Sequence, residues 1–236
     1  MSKNVGNPID IWVNPLRFFS LEGQPLNPDD AEIDYLKLLN DLRGLDDDQS
    51  IERVRERYKL ITSYDNNLFI VPVNDVILKK LVWPLRSAKQ AFCLGNYLGC
   101  IALCGTVAEM ITIFLFELAS FTINGVKLDD VAQKKLFGST FEKLGQDRRL
   151  EVLEVYGILK KESVNEANQI RGIRKMYLHI LSKEFTSLEK DAEKVYKSAS
   201  LLVGEMVTLK PGEGGTITVP SHLVNFLSNN SEGEVS

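Results

Sequence analysis

The stretch "LGCIALCGTVAEMITIFLF", residues 98 to 116, carries a single charge, Glu109. A run of this length can cross a bilayer, or it can form the centre of a helical bundle and be apolar on every side because neighbours surround it. Glu109 falls in the middle of the run, where a membrane makes a charge expensive, and no second apolar span exists in the chain. The bundle reading follows. Under it Glu109 is buried and needs a partner. With 236 residues and 44% apolar content, the chain can bury the remaining faces of such a helix within one main domain.

Helix punctuation surrounds this segment. In "NPDDAEIDYLKLLNDLRG", Asn27 caps, Pro28 sits in the first turn and Gly44 follows the end, which predicts a helix over 28 to 43. A short basic helix is expected near 50 to 60, then an extended link through "YDNNLFIVPVND". Residues 74 to 94 alternate at helical spacing, with a kink or break expected at Pro84. Gly95-Asn96 marks a turn, so this segment and the apolar run read as antiparallel neighbours. The run is expected to end near 120, before a turn at Asn124-Gly125. Asp129 or Asp130 can cap "VAQKKLF", Gly138 ends it, and "STFE" reads as a capping box. "DRRLEVLEVYGILKK" continues the pattern, "SVNE" at 163 to 166 is a second box, and "TSLE" at 186 to 189 opens a helix to about 208.

The expected fold is therefore all-α, an antiparallel up-and-down helical bundle. Three parts are read along it: an acidic N-terminal helical extension over 1–70, a bundle over 71–209, and a short irregular or β-like C-terminal tail over 210–236, with a strand at "TITV". The "GEGG" before that strand lacks the Lys-Ser/Thr of a phosphate-binding loop and reads as a turn.

Charge is polarised along the chain. Residues 29 to 57 hold ten acids against five bases, while 143 to 183 hold nine bases against five acids. The formal net charge of −4 argues against coating nucleic acid by bulk positive charge, yet leaves room for a local basic site. "MSKNVGNPIDIW" has no basic start followed by an apolar run, which points to the cytoplasm and no membrane. The odd cysteine count of 3 then reads as reduced thiols in the core. No histidine lies near Cys93, Cys100 and Cys104 to complete a zinc set, and no metal or other cofactor is expected.

Histidine is rare, with 2 in the chain, and one of them stands in "SVNEANQIRGIRKMYLHIL", residues 163 to 181. At about 100° per residue, Ile170, Ile173, Tyr177, Ile180 and Leu181 share a core stripe with Arg174 at its edge. Gly172, Lys175 and His179 cluster on the opposite side, and Gly172 would let another surface come close. His222, in the tail, reads as incidental.

The pattern Arg174-Lys-Met-Tyr-Leu-His179 resembles the R-x4-H motif of the HEPN superfamily, the higher eukaryote and prokaryote nucleotide-binding domains. "AKQAFCLGNYLGCIALCGTVAEM" resembles that family's first helix, Gly-Asn turn and second helix with an internal glutamate, and "YGILKKESVNEANQIRGIRKMYLHIL" resembles the approach to its motif helix. The likeness covers roughly 75 to 208. It implies a metal-independent endoribonuclease acting as a homodimer, with RNA in the cleft between two motif helices. His179 would be the acid/base group and Arg174 the phosphate clamp; Lys175 and Arg171 would bind substrate, and Glu109, Tyr177 and Gly172 would be structural or auxiliary. It also implies a toxin or antiviral defence role, with a neutralising protein partner. The acidic segment at 29 to 57 could cover the basic cleft.

Two roles stay open for the motif pair. Lys175 replaces the short polar residue common in the family, and a straight helix separates Arg174 from His179 by about 140°. Arg174 could instead pair with buried Glu109 and hold the bundle together, leaving a non-catalytic nucleotide- or protein-binding and dimerisation module.

Overall fold

The computed structural model describes residues 48–65, 71, 74–119, 122–123, 126–180, 186–207, 210–211, 217–218 and 223–224. The expected helix over 28 to 43, the Asn124-Gly125 turn, Leu181, His222 and the "GEGG" turn lie outside these residues.

Helix α1 is Asp48–Thr62, and the chain divides into two units after Glu52, so that α1 crosses the division. The second unit, Arg53–Ser236, is helical. It contains a helical turn α2 (Asp75–Ile77), a π turn (Leu78–Val82), α3 (Trp83–Cys93), α4 (Tyr97–Ala119), α5 (Asp130–Phe137), α6 (Gln146–Val155), α7 (Lys161–His179) and α8 (Leu188–Val207). Two small ladders pair β1 (Thr122–Ile123) with β2 (Val126–Lys127), and β3 (Lys210–Pro211) with β4 (Ile217–Thr218). Residues 53–65 belong to this unit, so it begins well before residue 71: Ile61 is fully buried, and Arg57 Nη1 donates to the Cys93 carbonyl at 3.4 Å.

The apolar run forms α4, the central helix. Long and apolar enough to cross a membrane by composition, it is packed by α3, α6, α7 and α8. This accounts for an apolar surface without a polar stripe: Ile101, Val107, Ile111 and Leu115 are all buried among the packed helices instead of meeting water. Cys100 and Cys104 sit in the same core and Cys93 at its edge, all reduced, and burial pushes the Cys93 and Cys104 thiols up.

Local chemistry sets most helix ends. Asn74 Oδ1 accepts from the amides of Val76 and Ile77, Asp129 Oδ1 accepts from the Ala132 amide, and Gly138 ends α5 at φ +78°. Gly95 at φ +77° and the Asn96 side chain, which accepts from the Gly99 amide, turn α3 into α4.

Four expectations are corrected by packing. Pro84 neither breaks nor ends its helix: the π turn comes just before it, with the Trp83 amide bonding the Leu78 carbonyl five residues back. That wider turn relieves the clash between the proline ring and the carbonyl of the fourth preceding residue. "STFE" gives only a 3-10 turn, Phe141–Lys143, without a side-chain cap. There Phe141 stacks on Phe116 with centroids 3.9 Å apart, and its amide donates to Gln133 Oε1 at 2.8 Å. α6 stops at Val155, with Gly157 at φ +69°. "SVNE" does not cap α7, which begins at Lys161; Ser163 donates to Glu205 at 2.7 Å and Ser198 donates to Glu166, so both box residues tie α7 to α8.

Several tyrosines join the helices while remaining protonated. Tyr196 is buried and donates to Asp65 at 2.8 Å, Tyr64 donates to Glu193 at 2.6 Å, and all three of Tyr64, Tyr97 and Tyr196 titrate above the usual phenol value. Burial is the main cause for Tyr97, pushed up to about 12, and for Tyr196; the Glu193 hydrogen bond is the main cause for Tyr64. A phenol whose pKa is raised by folding contributes stability that is complete below about pH 10 and is lost as the pH rises through the folded value. Alkaline unfolding is therefore expected between about pH 10 and 12, with phenolate absorbance and loss of helical circular dichroism rising together. Ionisation of these phenols near pH 10 with the helices intact would contradict it.

Candidate functional site

Helix α7 brings the sequence-predicted residues onto two different faces. Its inner face packs Val164, Ala167, Ile170, Ile173 and Tyr177 against the core. Tyr177 donates to Asp191 at 2.6 Å with Ser187 at 3.0 Å, which joins the end of α7 to the start of α8; burial and Asp191 push its phenol up. The core stripe stops there. Ile180, expected on it, is 45% exposed, because α7 ends at His179 and Ile180 leaves helical geometry at φ −115°, ψ +103°.

Arg174, at the edge of this inner face, turns toward α4. Its Nη1 is ion-paired with Glu109 Oε1, and the two side chains keep 28% and 31% of their surface in contact with solvent. Glu109 is thus half-buried rather than fully buried. The path of Arg174 requires Gly105, one turn before Glu109: a Cβ placed there would lie 2.3 Å from Arg174 Cδ. Arg149, on α6, reaches the same place. It is buried, and its Nη1 donates to the main-chain carbonyl of Glu109 at 3.4 Å, the carbonyl that also accepts from Thr112 at 2.7 Å. Burial lowers the Arg149 pKa, opposed by the charges of Glu109 and Glu142. Gly105 and Arg149 escaped sequence reasoning. A glycine inside a helix is costly enough to signal a close approach, so Gly105 could have been found; nothing in the sequence marks Arg149.

The outer face is separate. Lys161, Asn165, Asn168, Gly172, Lys175 and His179 are all exposed and spaced alternately four and three residues apart, which sets them in one row. Each is a hydrogen-bond donor or a glycine, and the row contains no carboxylate. Gly172 has nothing within 4 Å of its would-be Cβ. Lys175 and His179 stand one turn apart, whereas Arg174 points away from both. Arg171, at the side of the row, bonds Asp147 at 3.1 Å.

A cavity of about 560 Å³ opens near the other end of α7, between Leu115, Leu118, Ile158 and Met206, with Lys160 and Glu205 at its edge. None of the candidate catalytic or substrate-binding residues lines it. Among the described residues, no group of three or more His, Cys, Asp or Glu side chains is placed to hold a metal ion. Compared with family models, with curated proteins and with solved structures, the chain matches none.

Proposed function

We propose that the chain is a HEPN-like, cytoplasmic, homodimeric module that binds RNA through the outer row of α7, with Arg174 held on the inner face by Glu109 and taking no part in RNA binding. One observation carries the choice against a single-chain Arg174–His179 site: the Arg174 guanidinium lies over Gly105 on Glu109, turned away from His179. Drawing it round to the outer row would bare both the half-buried carboxylate and the Arg149 guanidinium beside it with no anion to take its place on the inner face, which is unfavourable. The row itself suits phosphodiesters, since its ammonium, amide and imidazole groups donate hydrogen bonds and no acid repels the ligand. Gly172 allows a backbone, or the same row of a second copy, to approach closely.

Ribonuclease activity remains as a second reading on a specific observation. Lys175 and His179 are adjacent on one exposed face, so an imidazole able to move a proton and a cation able to hold developing phosphate charge are present without Arg174. A toxin or defence role, with a neutralising partner, belongs to this reading.

A labelled RNA pool incubated in EDTA with wild type, Lys175→Ala and His179→Ala, each checked for folding and dimerisation, separates the two. The binding module predicts salt-dependent RNA binding, weakened several-fold by Lys175→Ala, with no cleavage by any variant. Cleavage by wild type but not His179→Ala, leaving 2′,3′-cyclic phosphate ends, would make it a ribonuclease. Neither binding nor cleavage would remove RNA from the account.

A further inference from the structure

The Glu109 corner contains more positive charge than its own carboxylate can neutralise. Two guanidiniums, from α6 and α7, address a single acidic residue of α4: Arg174 takes the carboxylate and Arg149 is left with the main-chain carbonyl. Arg149 is 6% exposed, and its one hydrogen bond among the described residues is a 3.4 Å contact to a neutral oxygen. The Nε atoms of both arginines are buried and have no hydrogen-bond partner among the described residues. Buried guanidinium groups are ordinarily matched by a carboxylate or phosphate, often through two parallel hydrogen bonds. The remaining nearby acids do not fill that role: Glu142 is exposed and acts on Arg149 only through space, and Asp147 is exposed and bonded to Arg171.

We infer that Arg149 and Arg174 together form a binding site for one small oxyanion, phosphate or a compound carrying a phosphate or carboxylate group, with Glu109 as the internal group it competes against. The partial exposure of Glu109 and Arg174 opens this corner to solvent, and Arg149 forms its inner wall. The anion's oxygens accept from the Arg149 and Arg174 N–H groups that now lack partners. Glu109 is the counter-charge when the site is empty, and its carboxylate turns outward when the anion enters. The site lies on the inner side of α7 and does not depend on RNA binding by the outer row.

Competition gives the site a signature that a merely structural arginine pair would not produce. Inorganic phosphate is titrated into full-length protein at constant ionic strength, with binding followed by 31P NMR line width and isothermal calorimetry. Wild type is expected to bind saturably, Arg149→Gln to bind at least tenfold more weakly, and Glu109→Gln to bind several-fold more tightly because the competing charge is gone. Arg86→Ala, an exposed cation on α3, is expected to match wild type. Should Arg149→Gln fail to fold by circular dichroism, Arg149→Lys carries the test, since a single ammonium cannot replace the fork and binding falls several-fold. No saturable binding by wild type, equal binding by a folded Arg149 variant, or weaker binding by folded Glu109→Gln would each overturn the inference. Binding of a short RNA but not of free phosphate would assign the anion to nucleic acid and overturn the small-ligand site.

Discussion

Two glycines of this protein are expected to respond to substitution in opposite directions. Gly105→Leu lowers stability by about 3 kcal/mol, whereas Gly172→Ala raises it by about 0.5–1 kcal/mol. Both are helical and neither has a positive φ, so intrinsic propensity favours replacing each by about the same amount. Their surroundings decide the sign. At Gly105 a Cβ would stand 2.3 Å from Arg174 Cδ, well inside van der Waals contact, so the arginine must leave Glu109. Overpacking of this kind costs about 1–3 kcal/mol. The lost pair adds about 1 kcal/mol more, discounted because both side chains are partly solvated. At Gly172 no atom is within 4 Å and only the propensity gain remains. For a chain of this size the thermal midpoint moves about 2–4 °C per kcal/mol, enough to resolve both changes by calorimetry. A stabilising Gly105→Leu would mean that Arg174 does not lie across α4. In the RNA reading Gly172→Ala also weakens binding while it stabilises the fold, a combination that propensity alone does not predict.

Asp65→Ala is expected to destabilise the protein by about 3 kcal/mol, lowering the midpoint by roughly 6–12 °C. Asp65 Oδ2 receives two donors at once: the Lys89 ammonium of α3 at 2.7 Å and the Tyr196 hydroxyl of α8 at 2.8 Å. The Asp65 and Lys89 side chains are each 18% exposed, and Tyr196 is among the largest fully buried side chains. Removing the carboxylate takes the ion-pair partner from a mostly buried cation and the acceptor from a buried hydroxyl at once, the costly way to break such a group. Asp65→Asn keeps an acceptor and should lose less, and Tyr196→Phe should lose about 1 kcal/mol as a single hydrogen bond. A loss from Asp65→Ala no larger than that of an ordinary surface residue, below about 0.5 kcal/mol, would show that the group does not hold these helices together.

Periodicity and capping residues made the helices readable. α4 follows from an uninterrupted apolar run, α5 from Asp129 and Gly138, and the α3–α4 turn from Gly95-Asn96. Capping boxes were less dependable, since a box is only a set of side chains able to bond a nearby amide, and a tertiary partner can take them first. Ser163 and Glu166 go to α8 in this way. Phe141 shows a second route: its stacking on Phe116 holds the "STFE" segment in a single tight turn. The candidate site was legible on its outer face, where exposure of Gly172, Lys175 and His179 follows from helical spacing alone. On the inner face the sequence offered Arg174 and Glu109 as possible partners but left a catalytic use of Arg174 equally open.

The sequence by itself therefore determined where the long described helices run to within a few residues, that the apolar run needs protein around it, and that His179 and Arg174 occupy different sides of their helix. These are local properties, set by spacing along a helix of fixed pitch. Only the tertiary structure decided that Arg174 crosses Gly105 to reach Glu109, that Arg149 meets the same residue, and that Asp65 joins Lys89 to Tyr196. Those groups are separated by up to 131 positions along the chain. Their meeting depends on how three or more helices pack, which no periodicity within one helix can specify.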